Sequence, residues 1–154
     1  METMNVKFAG LGGTGVLKAS DIFAEVVFNL GYDVKKAEVH GMSQRGGSIA
    51  SDVRYGNRVE SPMIPDGTAD YLIVFAEDQI PVNQAALKPG GILLTPKDID
   101  LAKLPNEKAL NVAMLGKLST YFDFPLDLWE SVLKKLFNEK FHETNAQAFK
   151  LGRS

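Results

Sequence analysis

The chain has 154 residues, 45% hydrophobic and 23% charged, with a formal net charge of −2 and no cysteine. That is long enough for one domain with a single core, and the near-neutral balance gives no reason to expect nucleic acid or an anionic membrane as the main partner. The missing cysteines exclude disulfides, thiolate catalysis and any iron–sulfur cluster or cysteine-ligated zinc carried by this chain.

No apolar run approaches the roughly 18 residues that cross a bilayer, and the opening METMNVKFAG, short and polar and running directly into a strand, is not expected to act as a signal peptide. The expectation is a cytoplasmic chain folding as one domain over residues 1–154. Asn5 to Gly10 reads as a short strand ending at a glycine. Leu17, Ile22, Phe23, Val26, Val27 and Leu30 then recur at helical spacing, and Gly31 supplies the stop. Asp33 to Val39 alternates weakly and suits a strand at one side of a sheet, and Ile49 to Arg58 reads as a strand leading into a hairpin at Gly56-Asn57.

DYLIVFA, Asp70 to Ala76, is apolar almost throughout, the pattern of a strand buried on both faces. EDQIPVNQAALKPGG predicts a helix starting after Ile80 and stopping by Pro89, with ILLTP the next buried strand. Two further helices, NVAMLGKLSTYF and PLDLWESVLKKLF, are separated by a break at Asp123 to Pro125, and TNAQAFKLG predicts a last short one. Strands alternating with helices predict an α/β fold. It would be a single doubly wound, mostly parallel sheet, Rossmann-like, with helices on both faces.

Two glycine-rich runs carry the candidate chemistry. GLGGTG sets Gly10, Gly12 and Gly15 in the dinucleotide-fingerprint spacing, after a strand and before a helix. A helix N-terminus there offers free N–H groups to an anion, so Gly10, Gly12, Gly13, Thr14 and Gly15 form a candidate phosphate loop. No Gly-Lys-Ser/Thr follows, which excludes a P-loop. Glu38 is the only acid placed to bind a ribose, and a structural glycine turn stays open as the second reading. The other run is VHGMSQRGGS, Val39 to Ser48. Its glycines permit close backbone approach, and Arg45 offers a fixed fork to a phosphate or carboxylate. Ser43 has no evident base, and His40 is one of only two histidines, which rules out a His/Cys zinc site.

Taken together, GLGGTGV and AEVHGMSQRGGS identify a resemblance to the gamma-type subunit of 2-oxoacid:ferredoxin oxidoreductases, and within it to the beta subunit of the indolepyruvate enzymes. SPMIPDGTADYLIVFAED, LKPGGILL, NVAMLGKL and NAQAFKLG extend the match along almost the whole chain. Thr14 stands where the family usually has glutamine, and the segment after Asp100 is short for the family.

The resemblance implies a non-redox subunit with no catalytic residue of its own. Enzymes of this family decarboxylate a 2-oxoacid on thiamine diphosphate, pass two electrons through iron–sulfur clusters to ferredoxin, and load coenzyme A. The thiamine diphosphate, its Mg and the clusters would lie on a large partner subunit, in a hetero-oligomer that meets ferredoxin only indirectly. The isolated chain could self-associate. Ser43, Gln44, Arg45, Gly46 and Gly47 would face that interface near the substrate, an aryl pyruvate such as indolepyruvate, or near coenzyme A. The rival is a stand-alone dinucleotide- or phosphate-binding Rossmann-like protein. Elsewhere Asn111 reads as a helix cap, Gly116 as a site of close packing, and Trp129 as core unless a subunit contact exposes it.

Overall fold

The computed structural model describes residues 1–40 and 47–154; Ser43, Gln44, Arg45 and Gly46 lie outside the described residues. In chain order the elements are β1 (Met4–Leu11), α1 (Val16–Asn29), β2 (Asp33–His40), β3 (Ser48–Gly56), β4 (Ala69–Val74), α2 (Ile80–Asn83), β5 (Leu87–Leu94), α3 (Leu110–Ser119), α4 (Leu126–Leu136) and α5 (His142–Arg153). The sheet runs β2-β3-β1-β4-β5. β1, β4 and β5 pair in parallel, and β3 is antiparallel to both β1 and β2. Four strands therefore share one direction and β3 alone opposes them, which gives the expected α/β, mostly parallel sheet.

Alternation along each strand divides the sheet into two unlike faces. Val6 and Phe8 of β1, Val53 and Tyr55 of β3, Ile73 of β4 and Leu94 of β5 point to one face, where α1, α3, α4 and α5 cover them. Helix α1 contributes Val16, Ala19, Ile22, Phe23, Val26 and Val27, all buried at helical spacing. Aromatic rings link this core: Phe23 lies between 5.5 and 6.1 Å from Phe8, Tyr55, Phe122 and Trp129. Each such pair is worth roughly 0.5–1.5 kcal/mol beyond its buried area. Trp129 is fully buried, which settles its place as core.

The opposite face is covered thinly. Among the described residues its apolar cluster is Ala9, Ala50, Leu72 and Val74, with Ile80, Leu87 and Leu93 against it. The helix expected from Ile80 to Pro89 shrinks to the four-residue α2, flanked by tight turns. Pro81 sits in its first turn, and the chain re-enters the sheet at Leu87. Pro89 lies inside β5, tolerated because the β4–β5 register jumps from Ala69↔Leu87 to Tyr71↔Ile92. The residues bulged out there include Gly90 at φ +79°.

The hairpin expected at Gly56-Asn57 does not form. β3 ends at Gly56 and is itself the second arm of a hairpin with β2. The chain from Asn57 to Thr68 then crosses without a strand, held by β3's charged residues. Arg54 donates to the carbonyls of Ser61 (2.8 Å) and Met63 (3.5 Å), and to the Asn5 side chain at 2.9 Å. Asp52 accepts from the Ile64 N–H at 2.9 Å while Lys7 approaches its other oxygen at 3.1 Å.

α3 and α5 meet backbone to backbone. A Cβ on Gly152 would overlap the Ala113 carbonyl oxygen, and one on Gly116 would overlap that of Phe149. Gly116 thus permits the close packing its place in the sequence suggests. Arg153 adds a 2.7 Å bond to the Ser119 hydroxyl.

Candidate functional site

The first glycine run turns the chain from β1 into α1. Gly13 and Gly15 have φ of +88° and +81°, left-handed values that side chains resist. Gly10 is confined differently: a Cβ there would come within 2.9 Å of Val16 and 3.3 Å of Phe75. Gly15 is also where α1 begins, with no side-chain cap. The Asn111 amide sits where a Gly15 Cβ would be.

Asn111 was expected to cap its helix. It lies instead inside the first turn of α3, 6% exposed, with its amide 3.4 Å from the Gly15 carbonyl. Its position against the glycine turn, 96 residues away in the chain, carries no local sequence signal.

The turn is partly closed on itself. The Thr14 hydroxyl donates to the Leu11 carbonyl at 2.6 Å, and the Thr14 N–H bonds the same oxygen at 3.1 Å. The Gly12 N–H donates to the Gly47 carbonyl at 3.0 Å. An anion at this helix start would therefore find the Gly12 and Thr14 donors already committed.

The Gly12–Gly47 bond also brings the two glycine-rich runs to the same end of the sheet. Leu11 pairs with Ser48 across the β1–β3 ladder. Ser48 in turn donates to the Gln79 side chain at 2.6 Å, and Gln79 is buried. Leu11 to Gly15, Gly47-Ser48 and Gln79 thus converge from three connections. Gln79 is the member that local sequence reasoning does not find, while Asn111, against Gly15, is marked in the sequence only as a helix cap.

Topology weighs against a bound dinucleotide. In the nucleotide fold the strand bearing the ribose acid lies beside the first strand. Here β3 stands between them, and the register runs Glu38↔Ser51↔Phe8. Glu38 is two strand spacings, about 10 Å, from β1, and level with Phe8, short of the glycine turn. It faces Lys36 at 3.8 Å, a loose and exposed ion pair.

On the thinly covered face, charges line up between the turn and the Asn57–Thr68 crossing. Asp52 is almost fully buried and Lys7 keeps a small exposed fraction. Asp70 accepts from the Asn5 N–H at 2.8 Å and pairs with Lys88 at 2.6 Å, which raises the Lys88 ammonium above its ordinary pKa. At the far end, Asp33 accepts from the Val59 N–H at 2.7 Å, and that bond holds its carboxyl below the usual range. Val39, Met63 and Val82 are exposed apolar residues on or beside these segments.

The five-stranded α/β sheet with its inverted third strand is shared with solved oxoacid oxidoreductase chains. The keto/oxoacid ferredoxin oxidoreductase gamma subunit from Geobacter sulfurreducens shares the fold at a TM-score of 0.78 and 23% identity, covering 99% of this chain and 95% of that one. The pyruvate oxidoreductase subunit PORC from Thermotoga maritima gives 0.77 and 23%, with 99% and 96% covered. The 2-oxoglutarate:ferredoxin oxidoreductase from Magnetococcus marinus, solved with 2-oxoglutarate, coenzyme A and succinyl-CoA, gives 0.81 and 19%, with 99% of this chain on 31% of that one.

The chain belongs to the pyruvate ferredoxin/flavodoxin oxidoreductase family, whose profile matches residues 5–108. It is 38% identical over 95 residues to the indolepyruvate oxidoreductase subunit IorB of Pyrococcus horikoshii, a match spanning 62% of this chain and about half (47%) of that relative. The IorB subunit of Archaeoglobus fulgidus matches at 27% over 97% of this chain and 93% of its own length. Among the described residues no helix is long and apolar enough to cross a membrane.

Proposed function

We propose that residues 1–154 act as one gamma-type domain, the non-redox subunit of a thiamine-dependent 2-oxoacid:ferredoxin oxidoreductase acting on indolepyruvate or a related aryl pyruvate. The observation that carries this reading is the Gly12–Gly47 bond, which ties Gly47, the last residue of the SQRGG run, to the first glycine turn in a chain 38% identical over 95 residues to an IorB subunit. This chain has no thiolate for a cluster. Decarboxylation on thiamine diphosphate with Mg, and the electron path to ferredoxin, therefore belong to the large partner subunit. The role of this chain is to close the interface around that site. Gln44 and Arg45 present an amide and a guanidinium fork to a carboxylate or phosphate, and coenzyme A is the phosphate-bearing ligand that fits.

The test is reconstitution with the large subunit, followed by indolepyruvate- and coenzyme A-dependent reduction of ferredoxin. Arg45→Ala is expected to leave the thermal midpoint of the isolated chain unchanged and to lower turnover at least roughly tenfold, the loss of one charge-assisted contact. Full turnover with Arg45→Ala would discard the placement of this run at the active-site interface.

A further inference from the structure

We infer that the cleft between α4 and α5 is a binding site for a small amphipathic carboxylic acid, an aryl or branched alkyl chain ending in a carboxylate. The cleft measures about 340 Å³, within the range of small-molecule sites. Its floor is apolar, formed by Leu133 and Phe149, both buried beneath it. Its rim is cationic: Lys134 on α4, and Lys150 and Arg153 on α5, face a single carboxylate, Glu130. None of these four makes an ion pair among the described residues. An apolar floor under a net positive rim selects a ligand with an apolar body and an anionic head.

Two further features mark the cleft as a built site. Asn145, 6% exposed, is part of its lining, and its Nδ2 has no hydrogen-bond partner. A buried donor left unpaired costs about 1–3 kcal/mol; Nδ2 has almost no accessible surface, so a carboxylate oxygen satisfies it only once the Asn145 side chain turns toward the cleft. In addition, the cleft cannot close by moving α5. That helix is fixed against α3 by the Gly116 and Gly152 contacts and by the Arg153–Ser119 bond. Backbone contact on the α3 side leaves the gap on the α4 side. The inference does not depend on the proposed enzyme, because every group it uses lies on α4 and α5.

The experiment is a titration of the full chain with 3-phenylpropionate, and in parallel with the neutral 3-phenylpropan-1-ol. It is followed by the Trp129 indole N–H and the Asn145 side-chain amide in two-dimensional NMR. Trp129 is the only tryptophan, and its ring lies 5.7 Å from Phe149. Saturable shifts of both signals with the acid, at least roughly tenfold weaker with the alcohol, are expected. The exposed Lys150→Ala should weaken the acid by roughly tenfold, and Glu130→Gln should tighten it by removing the opposing charge. Equal binding of acid and alcohol, or no saturable shift with wild-type protein, overturns the inference.

Discussion

The two faces of the sheet are built on different principles. The helix-covered face joins Val6, Phe8, Phe23, Tyr55 and Trp129 into one apolar and aromatic body. The other face has alanines at its centre, Ala9 and Ala50, and charges around them: Lys7, Asp52, Arg54 and Asp70. Burial on the first face is much the larger apolar contribution of the two. Charges on the second add little net stability once their desolvation is counted, but they fix geometry. They hold the Asn57–Thr68 crossing and keep a low, small-residue surface beside the glycine turn. One face makes the fold and the other shapes what the fold presents.

The sharpest way to break this contrast is to disturb the packed side where it has no slack. Gly152→Ala drives a methyl into the Ala113 carbonyl and must push α5 from α3. The expected loss is about 3 kcal/mol or more, read by urea denaturation. A loss under about 1 kcal/mol would mean the α3–α5 contact is soft. On the charged face, Asp52→Ala strands Lys7 and unsatisfies the Ile64 N–H. About 2–3 kcal/mol is expected. The double variant Lys7→Met/Asp52→Ala should recover part of it, since the cost lies in the unpaired ammonium. If the double variant is worse than the sum of the singles, the pair does not act as described.

The smallest effect is expected at Asp33, whose carboxyl is held below its ordinary pKa by the Val59 N–H and then by Lys35. A depressed carboxylate stabilises above its unfolded value of 3.8 and loses that contribution as pH falls through the lower folded value. Asp33→Asn should therefore lower the melting temperature at pH 7 and leave it little changed at a pH acid enough to protonate the folded carboxyl. Equal destabilisation at both pH values would show that charge is not involved.

Local pattern was enough for β1, the glycine turn, α1, β4, α3 and α4, because each pairs a clear period with a glycine or proline boundary. It failed where partners are distant. The alternation in Ile49 to Arg58 says that a strand exists, but not that it slots antiparallel between β1 and β2. That choice decides the fate of Glu38, moving it a full strand away from the position a nucleotide needs. The Ile80–Pro89 reading weighed helical composition without the early return of the chain to β4. The contacts of Gln79 and Asn111 were not legible for the same reason: each is an ordinary amide until folding brings Ser48 or Gly15 against it.

The β2–β3 hairpin has one more consequence, for how this chain can change. Eight consecutive register pairs, from Asp33↔Gly56 to His40↔Ile49, align the two strands. The SQRGG run lies in that intervening segment, outside the paired residues. Gln44 and Arg45 are not among the paired residues, so substitutions at either are expected to leave this ladder in place. Recognition can drift or sharpen in this run while the scaffold stays the same.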